Sequence, residues 1–466
     1  MTSASPVFRA VFNNKEYTVR IAILNSKGSI IILKKSSIRS LKISDNIFNP
    51  FHTGTLELVN DFNVLENSDP PYEFLGNGSD VLYIEIIPTN GSEAFEIKLK
   101  CIATSSLDRQ EGNSQYKKID FVEYGQYILN AKYCSVMDLK KDTGKNSYLN
   151  TNAASSASTG DWIKRIINKA FESDPEDMSS FDVDVESGQP IFDAEGSSNI
   201  NLTMYASMTY EKLLTYIMQK HTHNGSPCVL THDRTSKKFQ LMSLQQLFEK
   251  NDKYVAEVLT YGDTRQSNEA RPSIEFKSSP VHFGHESQID RFKVIEPSAS
   301  FGATHFCNEA VASFSRATGT FTYDMKSLSK NNFIKKYEQM FVEPFKKLFS
   351  ANGVIPNFNN QSLASNTWTD TTNTQPAAVG ETERMNSKLA SLLYMNTTYL
   401  ISLPGNTGRQ SRTFVDVFKQ AQGSDTPTSK DDKNKLGRHL VTSVDHIFTQ
   451  DTYTNQLETV KPYKLE

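Results

Sequence analysis

At 466 residues the chain exceeds what one ordinary core holds, so roughly two to four domains are expected. Lys and Arg number 50 against 53 Asp and Glu, and this near-balance excludes the basic field of a dedicated nucleic-acid binder. The start, Met1-Thr-Ser-Ala-Ser-Pro-Val-Phe8, lacks a basic head and an apolar run, and no stretch reaches the length of a membrane span.

Residues 7–125 read as all-β. Strands are predicted at Tyr17–Leu24, Ser29–Lys34, Ile38–Ser44, Thr55–Val59, Val81–Ile87, Phe95–Ala103 and Tyr116–Val122. Turn signals at Ser26-Lys-Gly28, Asn49-Pro50, Gly76-Asn-Gly78 and Asn90-Gly91 separate them. Leu41 and Ile43 share one face, as do Leu56 and Leu58 beyond a bend placed at Asn49-Pro50, which predicts a half-buried hairpin. Strands this short and closely spaced suggest a barrel or sandwich.

The pattern then changes. From Ser155 to Phe171, residues Trp162, Ile163, Ile166, Ile167 and Ala170 repeat at helical spacing, with Thr159 or Asp161 able to cap the start. A second helix fits Thr209–His221, and short strands fit Cys228–Leu230 and Lys238–Met242. Between the helices, Glu172 to Glu195 holds no Lys or Arg. Its acids do not follow calcium-loop spacing, so it reads as a solvated acidic loop.

From Ile274 to Leu328 the chain is β-like again and rich in aromatics. A helix fits Asn331–Phe349, with Pro344 kinking or ending it. Residues 355–385, rich in Asn, Ser, Thr and Gln, read as a long polar loop. Strand character returns at Tyr399–Leu403, Phe414–Phe418, His439–Phe448 and Tyr453–Val460.

Candidate chemistry is sparse. His221, His223, Cys228 and His232 lie close enough in sequence to hold a metal such as zinc, yet match no zinc-finger spacing. The other reading is a helix end, where histidines bond the last carbonyls. His282 and His285 would face opposite sides of a strand. Cys101, Cys134, Cys228 and Cys307 form no CxxC pair and read as free thiols of a reducing compartment. No nucleophile elbow, phosphate loop, dinucleotide fingerprint or zincin helix occurs. No catalytic residue and no cofactor are therefore expected.

Three blocks together resemble the baseplate hub family of contractile-tailed bacteriophages, related to the hub half of the type VI secretion spike protein. The first is Ile38–Asp61, with Asn-Ile-Phe-Asn-Pro-Phe-His-Thr-Gly-Thr-Leu-Glu-Leu at Asn46–Leu58. The second is Tyr210-Glu-Lys-Leu-Leu-Thr-Tyr-Ile-Met218 followed by Lys238-Phe-Gln-Leu-Met-Ser-Leu-Gln-Gln-Leu-Phe248. The third is Gly405-Asn-Thr407, then Leu436–His446 and Tyr453–Glu458.

The resemblance implies an α+β, mainly β chain with two similar antiparallel barrels of the tail-tube type and an inserted α+β domain. The implied division is a first barrel at 1–125, an α+β domain at 126–270, a second, discontinuous barrel at 271–330 and 396–466, and a helix and polar-loop insertion at 331–395. It further implies a homotrimer in the virion tail baseplate, assembled in the host cytoplasm, that adapts a hexameric tail tube to a trimeric spike. No oligonucleotide-fold domain or spike follows the last strand, so the spike is expected as a separate chain.

Phe48, Asn49, Pro50 and Phe51 are the candidate assembly interface, since two rings flank an otherwise polar turn; the other reading is that both rings plug the barrel end. A metal-dependent enzyme and a carbohydrate- or receptor-binding tail protein are the alternative functions. Finally, Asp45-Asn-Ile-Phe48 is echoed by Asp445-His-Ile-Phe448, which predicts equivalent hairpins at Leu41–Leu58 and Leu440–Leu457, side by side in one ring.

Overall fold

The computed structural model describes residues 10–13, 17–24, 30–33, 38–59, 80–88, 95–108, 115–134, 156–172, 183–185, 199–201, 208–223, 226–233, 238–249, 255–261, 287–295, 308–315, 320–327, 398–419, 436–449 and 452–460. The Asn331–Phe349 helix, the 355–385 loop, His282, His285 and Cys307 lie outside them. The chain is mainly β and is organised on one large, forked sheet.

The first arm of that sheet comes from β1 (Ala10–Asn13), β2 (Tyr17–Leu24), β3 (Ile30–Ile32), β4 (Ile38–Asn46), β5 (Asn49–Val59), β6 (Val81–Pro88), β7 (Phe95–Asp108) and β8 (Gln115–Glu123). Its strands lie in the order β2-β6-β7-β8-β5-β4, all antiparallel, with β1 and β3 on the outer edge of β2. Alternation places Leu41, Ile43, Leu56, Leu58, Leu99, Cys101, Ile119 and Phe121 in one core. The bend after β4 falls at Ile47-Phe48 and not at Asn49-Pro50. Two short side chains set it there: Asn46 Oδ1 accepts the Phe48 N–H at 2.9 Å and Asn49 Oδ1 accepts the Phe51 N–H at 3.1 Å.

An α+β unit follows, built from α1 (Tyr124–Ala131), β9 (Tyr133–Cys134), β10 (Ser156–Ser158), α2 (Thr159–Phe171), β11 (Val183–Val185), β12 (Asn199–Asn201), β13 (Met208–Thr209), α3 (Tyr210–Lys220), β14 (Thr222–His223), β15 (Ser226–Asp233), β16 (Lys238–Ser243) and α4 (Leu244–Glu249). The helix predicted from Ser155 starts at Thr159, because Ser156–Ser158 pair with Asn199–Asn201 as a short strand. Trp162, Ile163, Ile166, Ile167 and Ala170 form its buried stripe. Thr209 Oγ1 accepts the Lys212 N–H at 3.4 Å and caps α3. Ser243 and Gln246 bond reciprocally at 3.0 and 2.9 Å, a capping box that opens α4.

The second arm uses β17 (Val255–Tyr261), β18 (Arg291–Ile295), β21 (Thr398–Pro404), β22 (Phe414–Lys419), β23 (Gly437–Thr449) and β24 (Tyr453–Val460). Between β18 and β21, β19 (Asn308–Ser315) and β20 (Thr320–Ser327) pair only with each other among the described residues. The arm has its own core, with Leu259, Tyr399, Ile401, Leu403, Val415, Val417, Val441, Val444 and Leu457. Strand β17 belongs here although it precedes residue 270, since it pairs in parallel with β22.

The two arms share one strand order. The first runs β2-β6-β7-β8-β5-β4 and the second β17-β22-β23-β24-β21-β18. Read along the chain, these are the same positions in the same sequence. The likeness extends to irregularities: β7 carries a bulge between Cys101 and Ala103 against β8, and β23 carries one between Val441 and Ser443 against β24. One pairing differs, since β2 is antiparallel to β6 whereas β17 is parallel to β22.

This order corrects the expected echo. The counterpart of β4–β5 is β18–β21, and that of β23–β24 is β7–β8. Asp45–Phe48 ends a strand and makes its turn, whereas Asp445–Phe448 lies inside β23. Asp45 is buried and Asp445 half-buried, so the two motifs point to opposite faces. Among the described residues the sheet is open, and no barrel closes.

Candidate assembly site

The arms are joined where β23 changes partner. Its residues Gly437–Leu440 pair with β22, and Ser443–Thr449 pair with β4, in a register that sets His446 opposite Ile43 and Phe448 opposite Leu41. The bulge at Thr442 makes the change possible, because an extra residue kinks the strand and frees its backbone groups. Those groups are satisfied from elsewhere. Thr442 O accepts the Ile47 N–H at 2.8 Å, Val441 O accepts the Arg412 N–H at 2.8 Å, and the Val441 N–H donates to Thr413 O at 2.9 Å. Beyond the bulge, Phe448 and the first residue of β24, Tyr453, pack into the core of the first arm. One hairpin thus serves both cores.

Charged side chains fasten the joint. On the inner face, Asp45 Oδ2 accepts the Ser411 N–H at 2.7 Å, and Arg412 NH2 lies 3.8 Å from Asp45 Oδ1. Arg412 takes a φ of 69°, a left-handed backbone that costs an L residue about 1 kcal/mol. Burial pushes the Asp45 carboxyl up, but the charges of Arg412 and His52 and the Ser411 N–H outweigh it and hold it down at about 2. On the outer face, Asp445 accepts the Ser44 hydroxyl at 2.6 Å and lies 2.8 Å from Lys42 Nζ.

A second network pins the loop from Gly405 to Arg412. Arg409 makes a two-pronged pair with Glu257, both bonds at 2.8 Å, and both side chains are buried. Ser287 Oγ donates to the same carboxylate at 2.6 Å. Asn455 Oδ1 accepts from Arg409 NH1 at 2.8 Å and from the Asn406 N–H at 2.6 Å, which turns its amide nitrogen toward His446 Nδ1, 2.9 Å away. Tyr453 Oη lies 2.8 Å from the same His446 nitrogen. Tyr17 of β2 donates its hydroxyl to Gly405 O and meets the Tyr453 ring edge-on at 4.9 Å. A Cβ at Gly405 would sit 2.1 Å from that ring, so only glycine allows the approach.

The Phe48–Phe51 segment divides. Phe51 is buried, 5.6 Å from Phe239 and 6.4 Å from Phe171, and it anchors the α+β unit to the end of β5. It offers no surface to a partner chain. Phe48, Asn49 and Pro50 are half-buried at the hairpin tip. His52, next to Phe51, points the other way and binds Glu123 through its backbone N–H at 2.9 Å and Nδ1 at 2.8 Å. Burial raises the Glu123 carboxyl, yet these bonds and the His52 charge hold it below the usual carboxylate range.

The sequence-based metal candidates fall on different elements. His221 caps the C-terminus of α3, its N–H bonded to Met218 O at 3.1 Å. Cys228 and His232 lie on β15, where the His232 ring packs 4.9 Å from Phe239 and 5.2 Å from Phe51. His223 lies on β14. Among the described residues no three His, Cys, Asp or Glu side chains are grouped to hold a metal. Cys101, Cys134 and Cys228 are free thiols. Nor is any described helix long and apolar enough to cross a membrane.

Asp45, Glu257, Arg409 and Asn455 were invisible as site residues in the sequence. Arg409 and Glu257 are 152 positions apart, and only the Gly405-Asn-Thr407 segment marked the loop that bears Arg409.

No family model matches the chain, and no curated protein matches it in sequence. Solved structures do. A tail protein from Neisseria meningitidis MC58 aligns over 95% of this chain and 96% of its own, with a TM-score of 0.46 and 8% identity. The 43 kDa tail protein of prophage MuSo2 from Shewanella oneidensis aligns over 95% and 98%, with a TM-score of 0.48 and 11% identity. An E. coli component of the type VI secretion system aligns over 92% and 76%, with a TM-score of 0.38 and 6% identity.

Proposed function

We propose that this protein is a structural component of a phage-type tail, a hub whose ring joins a hexameric tube to a trimeric spike. One observation carries the reading: two arms of one strand order, joined head to tail within a single chain. A repeat joined by unlike edges builds a ring when the step is continued by further copies. Three copies then present six arms, which matches a three-fold partner on one face and a six-fold partner on the other. Two of the three sequence blocks that resemble baseplate hubs fall on this frame, and the second lies in the α+β unit, on α3, β16 and α4. The first is β4–β5, the third is the Gly405 loop with β23–β24, and the two meet edge to edge in the sheet.

On this reading each arm is one tail-tube-type barrel unit, and the α+β unit is an insertion between them. The protein works as a homotrimer in the tail baseplate, assembled in the host cytoplasm, with tail tube protein and a separate trimeric spike as partners. Its role is mechanical, with no catalytic residue and no cofactor. Phe48, Asn49 and Pro50 at the hairpin tip face the tube. Sedimentation or mass photometry of the purified protein, and imaging of a reconstituted tail, test this. A trimer seated between tube and spike is expected. A monomer at every concentration that never joins a tail overturns it. Phe48→Ser is expected to leave the fold intact and to weaken tube attachment.

A further inference from the structure

His446 of β23 is a buried imidazole whose hydrogen-bond role is set by its neighbours. It is 2% exposed, and its ring lies 5.8 Å from that of Phe95. Asn455 Oδ1 already accepts two N–H groups, one from Arg409 Nη1 and one from the Asn406 backbone. The amide nitrogen of Asn455 is thereby turned to His446 Nδ1, and an amide nitrogen can only donate. Nδ1 must accept, so it carries no hydrogen and the ring is the neutral tautomer with its hydrogen on Nε2.

A proton added at Nδ1 finds an acceptor in the Tyr453 hydroxyl oxygen, 2.8 Å away. It also sets a second donor against the Asn455 amide nitrogen at 2.9 Å. The two arrangements exclude each other. In the neutral one, Asn455 holds Arg409 and Asn406 in place. In the charged one, the amide must turn or withdraw, and both donors lose their acceptor. The same loop ends at Ser411, bonded to Asp45, and at Arg412 with its left-handed backbone, so it is held against strain.

We propose that His446 and Asn455 form a proton-operated latch on the Gly405–Arg412 loop, closed while His446 is neutral and released when it takes up a proton. The charges around the ring are engaged with one another. Arg409 is paired with Glu257 of β17, beyond Asn455. Asp45, on the inner face of β4 with Ile43, faces Arg412 and the Ser411 N–H. His52 of β5 lies across the Phe95 ring, 6.2 Å from it, and is bound to Glu123 of β8. Tyr17 of β2 meets the Tyr453 ring. The latch is internal to one chain and holds whether or not copies form a ring.

Amide hydrogen exchange of the full chain, corrected for the intrinsic rate at each pH, tests it. A proton that binds only the released loop favours release as pH falls below the ordinary imidazole value of about 6.5. Release then rises about tenfold between about pH 7.5 and about pH 5.5. Asp45, held down at about 2, and Glu123, held below the usual carboxylate range, stay ionised across this window. Protection at the Asn406 and Ser411 amides is expected to fall about tenfold, while the amides of β15 and β16 keep theirs.

His446→Asn offers an acceptor oxygen near the place of Nδ1 but takes up no proton, and is expected to flatten the dependence. Asn455→Asp keeps an acceptor for Arg409 and Asn406 and replaces the amide donor by an oxygen that accepts the Nδ1 proton. Its loop is expected to be at least as protected at the lower pH as at the higher. Equal protection of the unsubstituted chain at both pH values overturns the latch. A fall of the same size that persists in either variant also overturns it, and Asn455→Asp carries the test alone should His446→Asn not fold.

Discussion

Asp45 and Ser411 lie 366 positions apart, yet the Asp45 carboxylate accepts the Ser411 backbone N–H at 2.7 Å. This contact ties the loop of the second arm to β4, the strand of the first arm that borders the second. It also makes the joint sensitive to acid. The Asp45 carboxyl falls from 3.8 in the unfolded chain to about 2 in the fold. A depressed carboxyl stabilises the folded state above the unfolded value and loses that contribution as pH drops through the folded one. Asp45 thus contributes about 2 kcal/mol near neutral pH, lost between about pH 4 and pH 2. Asp45→Asn is expected to be less stable at pH 7 and to show a flatter dependence over that window. Urea melts of both proteins from pH 7 to pH 2 measure this. Parallel profiles would show that Asp45 does not couple the joint to protons.

Phe51 and Gly125 are a second checkable pair. A Cβ at Gly125 would sit 2.2 Å from Phe51 Cε1. Phe51→Ala should cost about 3–5 kcal/mol through the cavity it opens between sheet and α+β unit. Gly125→Ala alone should destabilise through overlap. In the Phe51→Ala background the same change should cost little, because its Cβ then fills vacated space. A double-mutant cycle by chemical denaturation reads this coupling, and additivity of the two single effects would contradict the contact.

Arg409 and Glu257 are predicted to be worth more together than apart. Removing one partner leaves the other charge buried and should cost about 3–5 kcal/mol. Arg409→Met and Glu257→Met should each lower the thermal midpoint, while the double variant that combines them recovers most of the loss. A double variant as unstable as the sum of the singles would mean that the pair does more than neutralise itself.

The thiols should differ in reactivity. Burial pushes the Cys101 thiol up to about 12, with nearby Asp80 adding to the shift. The thiolate is the reacting form, so Cys101 should resist alkylation at pH 8 in the folded protein. Cys228, half-buried on β15, should label before Cys101. Mass spectrometry after brief iodoacetamide treatment, with and without denaturant, distinguishes the two, and early labelling of Cys101 would contradict its burial.

Much of this fold was legible in the chain itself. Strands such as Tyr17–Leu24 and Tyr453–Val460 were predicted to the residue, because alternating apolar positions report a half-buried sheet directly. The α2 and α3 stripes were equally plain at helical spacing. Tight turns were less so: the bend beside Pro50 was set by the Asn46 and Asn49 side chains, and α1, starting at Tyr124, carries no side-chain cap to announce it. Among the described residues the metal candidates form no group, since nearness in sequence put His221 at a helix end and His232 on a strand.

What the sequence determined by itself was local: which residues alternate, where helices begin, and that two β-rich ends flank an α+β block. What only the tertiary structure decided was which strand lies beside which. The echo between Asp45–Phe48 and Asp445–Phe448 suggested the wrong pairing of repeats, since a short motif carries no information about its face or its place in a strand. The true repeat resides in strand order and in two matched bulges, which are backbone properties that many sequences satisfy. Contacts such as Asp45 with Ser411 and Arg409 with Glu257 arise from long-range closure. Their energy is realised only once distant strands are already side by side.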